Sequence, residues 1–534
     1  MLVKGRPANR HPFRLFFAVI GVGLFALPPA VKGQDGAARA SSASTSDYAV
    51  IKSAINSGHF LEAKGILIAR LQTSPADGYA HLLLGIVLSE LNEGENAEFQ
   101  FREASRLRPL DSAPHTDLGN LLASRGRLEE AKKQFEEALA LNPRDAASLS
   151  NLGSVQMSLK QYRPAMKCFD AASRVAPGDV RALLGLFQSQ LKLGLSTPSQ
   201  ETANRLLNLP GLDEQAVEIL GATQGESGDY VGAVRTFAKG ARLFPQSQTI
   251  QFNLGLALEK SGNPGRAATV LEALRSKQDT PELENVLGGV YEHAGQFLAA
   301  VKSYQRAAEE EATNEGYRFD YVSELLAHRN FEAARLVAER AVYDFPESVR
   351  ISVALGMALF GLSRFQEAQS LFLQTARRFP DAELPLISLI LCAEVSEIAL
   401  PESTELLNAF YRNHPTQFMA PYLLGRTALK NGDPASAATL LQVSIKLRSD
   451  YAPSHFELGR AQADLGQMNE AIDQYLAALK LDGDKTEIWY RLTLAYRKLG
   501  QSKLADKAEE EFRKVGAKTG KPDLVQTFLY STSK

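Results

Sequence analysis

The sequence repeats itself about every 34 residues, and that regularity rules out most ways in which a chain can fold. In "NLLASRGRLEEAKKQFEEALALNP" (Asn120 to Pro143), a short apolar helix pattern breaks at Gly126. A more charged helix pattern follows and stops at proline. With the glycine that follows the first leucines as anchor, Gly85, Gly119 and Gly153 stand 34 residues apart. The register continues through Gly185, Gly221, Gly255, Gly288, Val322, Gly356, Ile390, Gly425, Gly459 and Thr493, with Ile51 upstream. These fourteen units have steps of 32 to 36 residues. A chain of 534 residues exceeds the roughly 250–300 at which a single core stops growing. Growth by repetition avoids that limit.

Each recurring offset has a physical reason. Leucine precedes the anchor in twelve of the fourteen units, and alanine stands twelve residues after it in twelve of them. A small anchor lets a second helix come close, and alanine offers it a flat surface at no cost in helix propensity. Phe101, Phe135, Phe169, Phe237, Tyr304, Phe372 and Tyr475 follow four residues after the alanine as large knobs. Gly58, Gly126, Gly228, Gly262, Gly295, Gly432, Gly466 and Gly500 lie seven after the anchor, where a left-handed residue ends the first helix. Pro75, Pro109, Pro143, Pro177, Pro245, Pro346 and Pro380 close the second helix. The expected unit is a helix–turn–helix hairpin.

The units resemble tetratricopeptide repeats. Leu118, Gly119, Ala131, Phe135, Ala138 and Pro143 meet the family positions within one unit, and the resemblance covers about residues 44–514. The tryptophan common in the family's first helix is missing from thirteen of the fourteen units; the chain's single tryptophan, Trp489, stands in the last. The resemblance implies an all-α fold, a right-handed superhelical solenoid of about fourteen hairpins over residues 47–514. Two units depart from the pattern. After Gly185, Thr197 takes the place of alanine, and after Ile390, Glu402 does. In these degenerate units, near 185–214 and 390–414, bends in the solenoid are expected near 195–214 and 395–403, with a domain boundary as the alternative.

The ends differ from the repeats. Lys4, Arg6, Arg10 and Arg14 precede the apolar run Leu15 to Leu27, and small residues lead to a cut after Gly33. This is the layout of a signal peptide over 1–33. The run is shorter than the roughly 20 residues of a membrane span, although an uncleaved N-terminal membrane anchor is the rival reading. Its removal would shift the formal charge from −2 to −7. Residues 34–46 read as a flexible leader, and 515–534 as a capping tail containing "LVQTFL". Cys168 and Cys392 are the only cysteines, both in apolar helical settings where the thiol acts as a small hydrophobe. An exported protein, periplasmic or secreted, is expected.

No catalytic, cofactor or metal site is expected. The eight histidines lack the helical zinc-protease pattern, two cysteines cannot make a zinc site, and no phosphate-binding GxxxxGK[ST] loop occurs. "GAKTGKP" has the wrong spacing, and "GESGD" falls at a repeat turn. Little sequence lies outside the repeats to house an enzyme. Nucleic acid is disfavoured by the acidic balance and interspersed charges.

The resemblance further implies that first helices line an inner wall at set positions. These give a mild stretch early on, an acidic middle (Glu218, Glu226, Glu259, Glu282, Glu292) and a basic aromatic cluster in the last three units. The cluster comprises Tyr422, Arg426, Lys430, Phe456, Arg460, Tyr490, Arg497 and Lys498. Arginine grips carboxylates at two points and aromatics anchor interfaces, so protein or peptide segments of acidic character are the expected partners. The carboxylate clamp of some family members is absent. Asn120 and Asn151 match it, but Thr116, Asp179 and Leu183 stand where its cations belong. The expected function is a non-catalytic binding scaffold in the bacterial envelope. The alternative is an accessory subunit of envelope polysaccharide synthesis or export that binds anionic glycan.

Overall fold

A computed structural model describes residues 42–396, 401–482 and 485–516. The segment expected to be a signal peptide, most of the expected leader and the residues after Gly516 lie outside the described residues. Among the described residues there are twenty-eight α-helices and no strand, from α1 (Ser42–Asn56) to α28 (Ser502–Gly516) in chain order. α1 starts inside the segment expected to be a leader. The chain divides between Ser276 and Lys277 into two compact units of fourteen helices, α1 to α14 (Pro264–Arg275) and α15 (Pro281–His293) to α28. Within each unit consecutive helices pack on one another, with the step from α10 (Ser196–Leu207) to α11 (Glu214–Glu226) the weak exception, so odd- and even-numbered helices alternate as first and second members of hairpins.

One contact recurs in nine of the hairpins. A Cβ built on Gly356 would lie 2.2 Å from the ring of Phe372, sixteen residues on. Phe101, Phe135, Phe169, Phe237, Tyr304 and Tyr475 lie in the same way on Gly85, Gly119, Gly153, Gly221, Gly288 and Gly459. Leucine serves at Gly255–Leu271 and Gly425–Leu441. A side chain at the anchor would occupy the space of the knob, so glycine is a steric requirement here. The alanine four residues before the knob is buried throughout, from Ala63 to Ala505.

This geometry corrects the register at Gly185. A Cβ there would meet Phe169 at 2.4 Å, the knob of the preceding hairpin, and not a residue of its own second helix. The anchor is Phe187, 34 residues from both Gly153 and Gly221. Sixteen residues after it stands Ala203, and both are buried. Large and small have changed places. The same exchange occurs at Val322 and Ala338, fully buried in one cluster. In α10 (Ser196–Leu207), Ser199 takes the alanine position, not Thr197. In α22 (Pro401–Asn413), Ser403 is buried where alanine was expected one residue earlier, while Glu402 pairs with Arg377 at 2.6 Å. In both departures the buried small residue stands one or two residues later than the expected position.

Two local features repeat with the same fidelity. Among the described residues the chain turns left-handed seven residues after the anchor, and at Gly58, Gly126, Gly194, Gly228, Gly262, Gly295, Gly432, Gly466 and Gly500 glycine allows it. Asn92, Lys160, Arg329 and Ser363 adopt the same conformation at that offset without being glycine. Eight residues before the anchor, Asp77, Asp145, Asp179, Asp213, Ser247, Thr280, Asn314 and Ser348 accept hydrogen bonds from the first backbone N–H groups of their helices. Such caps satisfy donors that a helix start otherwise leaves open. Asp111 does the same for Ala113. Further on, Tyr451 and Lys485 hold this offset and no side-chain cap forms. Both thiols are pushed up to about 11, chiefly by burial, which keeps them protonated and inert.

Two predictions follow from these local features. Gly126 is exposed with open space where a Cβ would point, so Gly126→Ala costs only its left-handed strain, about 1 kcal/mol. Lys160→Gly removes such strain and should stabilise its hairpin by up to about 1 kcal/mol. Amide hydrogen exchange in the two hairpins should speed up in the first variant and slow in the second; no speeding in the first or no slowing in the second would contradict the reading. The second prediction concerns Asp117 in α5 (Ala113–Ser124), pushed up from 3.8 to about 7 by burial and then by the cap carboxylates Asp111 and Asp145. The unfolded chain releases this proton near pH 4 while the folded chain keeps it, so stability falls as pH rises from about 4 to 7. Asp117→Asn should therefore raise the melting temperature more at pH 8 than at pH 4. Equal shifts at both pH values would remove Asp117 as the cause.

Candidate functional site

The eight residues of the basic aromatic cluster sit on three successive first helices, α23 (Met419–Lys430), α25 (Ala452–Asp464) and α27 (Thr486–Lys498). The hairpin pattern that buries the anchor turns some of them inward. Tyr422 is buried and meets Tyr451 edge-on, with ring centroids 5.1 Å apart. Phe456 is buried against Tyr475, at 6.0 Å. Both are packing residues as well as members of the cluster.

Arg426 and Arg460 converge on Glu457, a buried carboxylate that sequence reasoning missed. Arg460 Nη1 donates to Glu457 Oε2 at 2.8 Å, and Arg426 Nε lies 3.5 Å from Oε1. The Arg426 guanidinium also lies over the Tyr422 ring at 5.6 Å. The i,i+3 spacing of Glu457 and Arg460 was the available signal. Arg497 turns toward α28 and forms an ion pair with Glu509, while Tyr490 lies against Phe512 at 5.9 Å. Lys430 and Lys498 are exposed at the ends of α23 and α27, and Tyr490 keeps 47% of its surface exposed. The structure thus brings Tyr422, Arg426 and Arg460 together at one carboxylate and sets Tyr490, Arg497, Lys430 and Lys498 at the surface.

A second aromatic group adjoins the first. Phe418 and Tyr451 meet edge-on at 5.0 Å, with the Arg448 guanidinium 4.8 Å from one ring and 5.9 Å from the other. Tyr451 stands at the cap offset, so aromatic packing replaces a capping side chain there.

The positions that match the carboxylate clamp are occupied by internal contacts. Asn151 Nδ2 donates to Asn120 Oδ1 at 2.8 Å, Thr116 hydrogen-bonds Ser148, Asp179 caps its helix and Leu183 is buried. In the acidic stretch, the carboxyls of Glu218 and Glu282 are raised, each mainly by burial and then by one neighbouring glutamate. Among the described residues, no helix is long and apolar enough to cross a membrane.

Tetratricopeptide repeat models match residues 119–160, 146–179, 220–281, 252–315, 322–383 and 422–487. No curated protein sequence matches the chain. Among solved structures, yeast Tom70 is similar at 14% identity and a TM-score of 0.41, over 81% of this chain and 99% of that one. Pseudomonas aeruginosa pilF is similar at 20% identity and a TM-score of 0.34, over 39% of this chain and 94% of that one. The Naa15/Naa10 complex bound to HypK-THB gives 14% identity and a TM-score of 0.32, over 89% and 76%. At these scores the family assignment rests on the repeat matches and on the anchor, turn and knob of each hairpin. The chain belongs to the tetratricopeptide repeat family, whose repeats serve as protein-interaction scaffolds.

Proposed function

We propose that the chain is a non-catalytic scaffold of the bacterial envelope that binds an acidic protein segment along α23, α25 and α27. The observation that carries this reading is the run of exposed Lys430, Tyr490 and Lys498 beside two arginines gathered at Glu457. Guanidinium and ammonium groups recognise carboxylates, and an amphipathic tyrosine anchors an interface at low entropic cost. The location rests on the basic, apolar and small-residue layout of residues 1–33.

Charge reversal at Arg426 or Arg460 would place acids around the buried Glu457 and unsettle the fold, so the exposed residues give the cleaner test. The full chain is used to capture partners from envelope extract beside a Lys430→Glu/Lys498→Glu/Tyr490→Ala variant. The expected result is a protein partner held by the wild type and lost by the variant, with wild-type capture weakening and the difference narrowing at high salt as exposed charges are screened. Equal capture by both would overturn the assignment of this surface. Capture of an anionic glycan instead of protein would favour the role in polysaccharide synthesis or export.

A further inference from the structure

We propose that Glu292, Glu324 and His328 form a binding site for one divalent transition-metal ion of the zinc type. Glu292 lies in the last turn of α15. Glu324 and His328 stand four residues apart at the end of α17 (Glu315–Ala327), the next first helix of the same unit. That spacing puts both on one face, toward the glutamate of the neighbouring hairpin.

The donor atoms already converge. His328 Nε2 lies 2.9 Å from Glu292 Oε2 and 3.2 Å from Glu324 Oε1, and all three donors fall within 4.8 Å of one another. Ligands bound at about 2.0–2.2 Å from a zinc ion stand roughly 3–3.6 Å apart, so only small side-chain shifts separate this arrangement from coordination. The site is set into the fold, since Glu324 is 6% exposed. A dication shared by two carboxylates and an imidazole offsets the cost of taking those carboxylates out of water. The Phe297 ring lies on the His328 ring, with centroids 4.3 Å apart, and holds the imidazole plane. Orientation of a ligating histidine by its surroundings is a recurrent feature of metal sites.

The donor set selects the ion. One imidazole and two carboxylates suit zinc or its first-row neighbours, whereas calcium requires six or more oxygen ligands and magnesium an octahedral shell of oxygens. Three protein ligands leave one position of a tetrahedral zinc open to water.

The competing account of the same geometry is an ion triad around a protonated His328, and the two differ in their response to metal. The full chain is freed of metal with chelator and titrated with Zn2+ by calorimetry and with Co2+ by visible absorption. The proposal expects one Zn2+ per chain and a Co2+ d–d band. Glu292→Gln and His328→Ala should each weaken binding at least tenfold, with helical circular dichroism unchanged. Glu292 is the less buried of the two glutamates, so its variant keeps the test valid if the histidine variant fails to fold. Absence of binding, or binding equal in wild type and Glu292→Gln, overturns the proposal and leaves the triad as an ionic contact.

Discussion

Nine of the fourteen hairpins depend on a knob from the second helix laid where the first helix has no side chain. Burying a phenylalanine side chain contributes roughly 1.5–3 kcal/mol, and the contact recurs along the array with little variation. Gly356 with Phe372 shows its usual form. Phe187 with Ala203 and Val322 with Ala338 show that the fold conserves the combined volume of the pair more than the identity of either member. Cores generally tolerate exchanges that preserve volume better than those that do not. Because the knob holds the two helices together, the left-handed residue seven after the anchor follows from tertiary packing. Lys160 and Ser363 accept that conformation against their own preference.

Much of this was legible in the sequence, because repetition samples the same physical constraint many times. The glycine anchors, the alanines and the glycines at the turn could be read directly. The register at Gly185 could not. That glycine makes room for Phe169 of the neighbouring hairpin, so its identity reports a contact between units and not the anchor of its own. Arg329 and Lys160 gave no local sign of a left-handed backbone, since neither residue type favours one. The caps at Asp77, Asp145 and Asp179 were present at a fixed offset and were missed because the patterning followed apolar residues.

The candidate site was only partly legible. Family resemblance indicates which helix face a residue occupies, but not which neighbour meets its charge. Arg497 is on an inward position by that rule, yet it pairs with Glu509 on its own hairpin. Glu457 drew no notice, although two arginines meet on it. Glu292 and His328 are separated by slightly more than one repeat, so no local motif records their approach. Pairing across a repeat is set by how hairpins stack, which linear spacing conveys only when the offset is known to the residue.

The most direct measurement is a double-mutant cycle on Gly356 and Phe372, read as unfolding free energy of the hairpin that contains them. Gly356→Val should overpack the contact and cost about 1–3 kcal/mol. Phe372→Ala should leave a cavity and cost about 3–5 kcal/mol. The double variant reproduces the arrangement of Val322 and Ala338, so its cost should fall below the sum of the two by more than about 1 kcal/mol. Additivity within about 0.5 kcal/mol would mean that anchor and knob do not act as one contact.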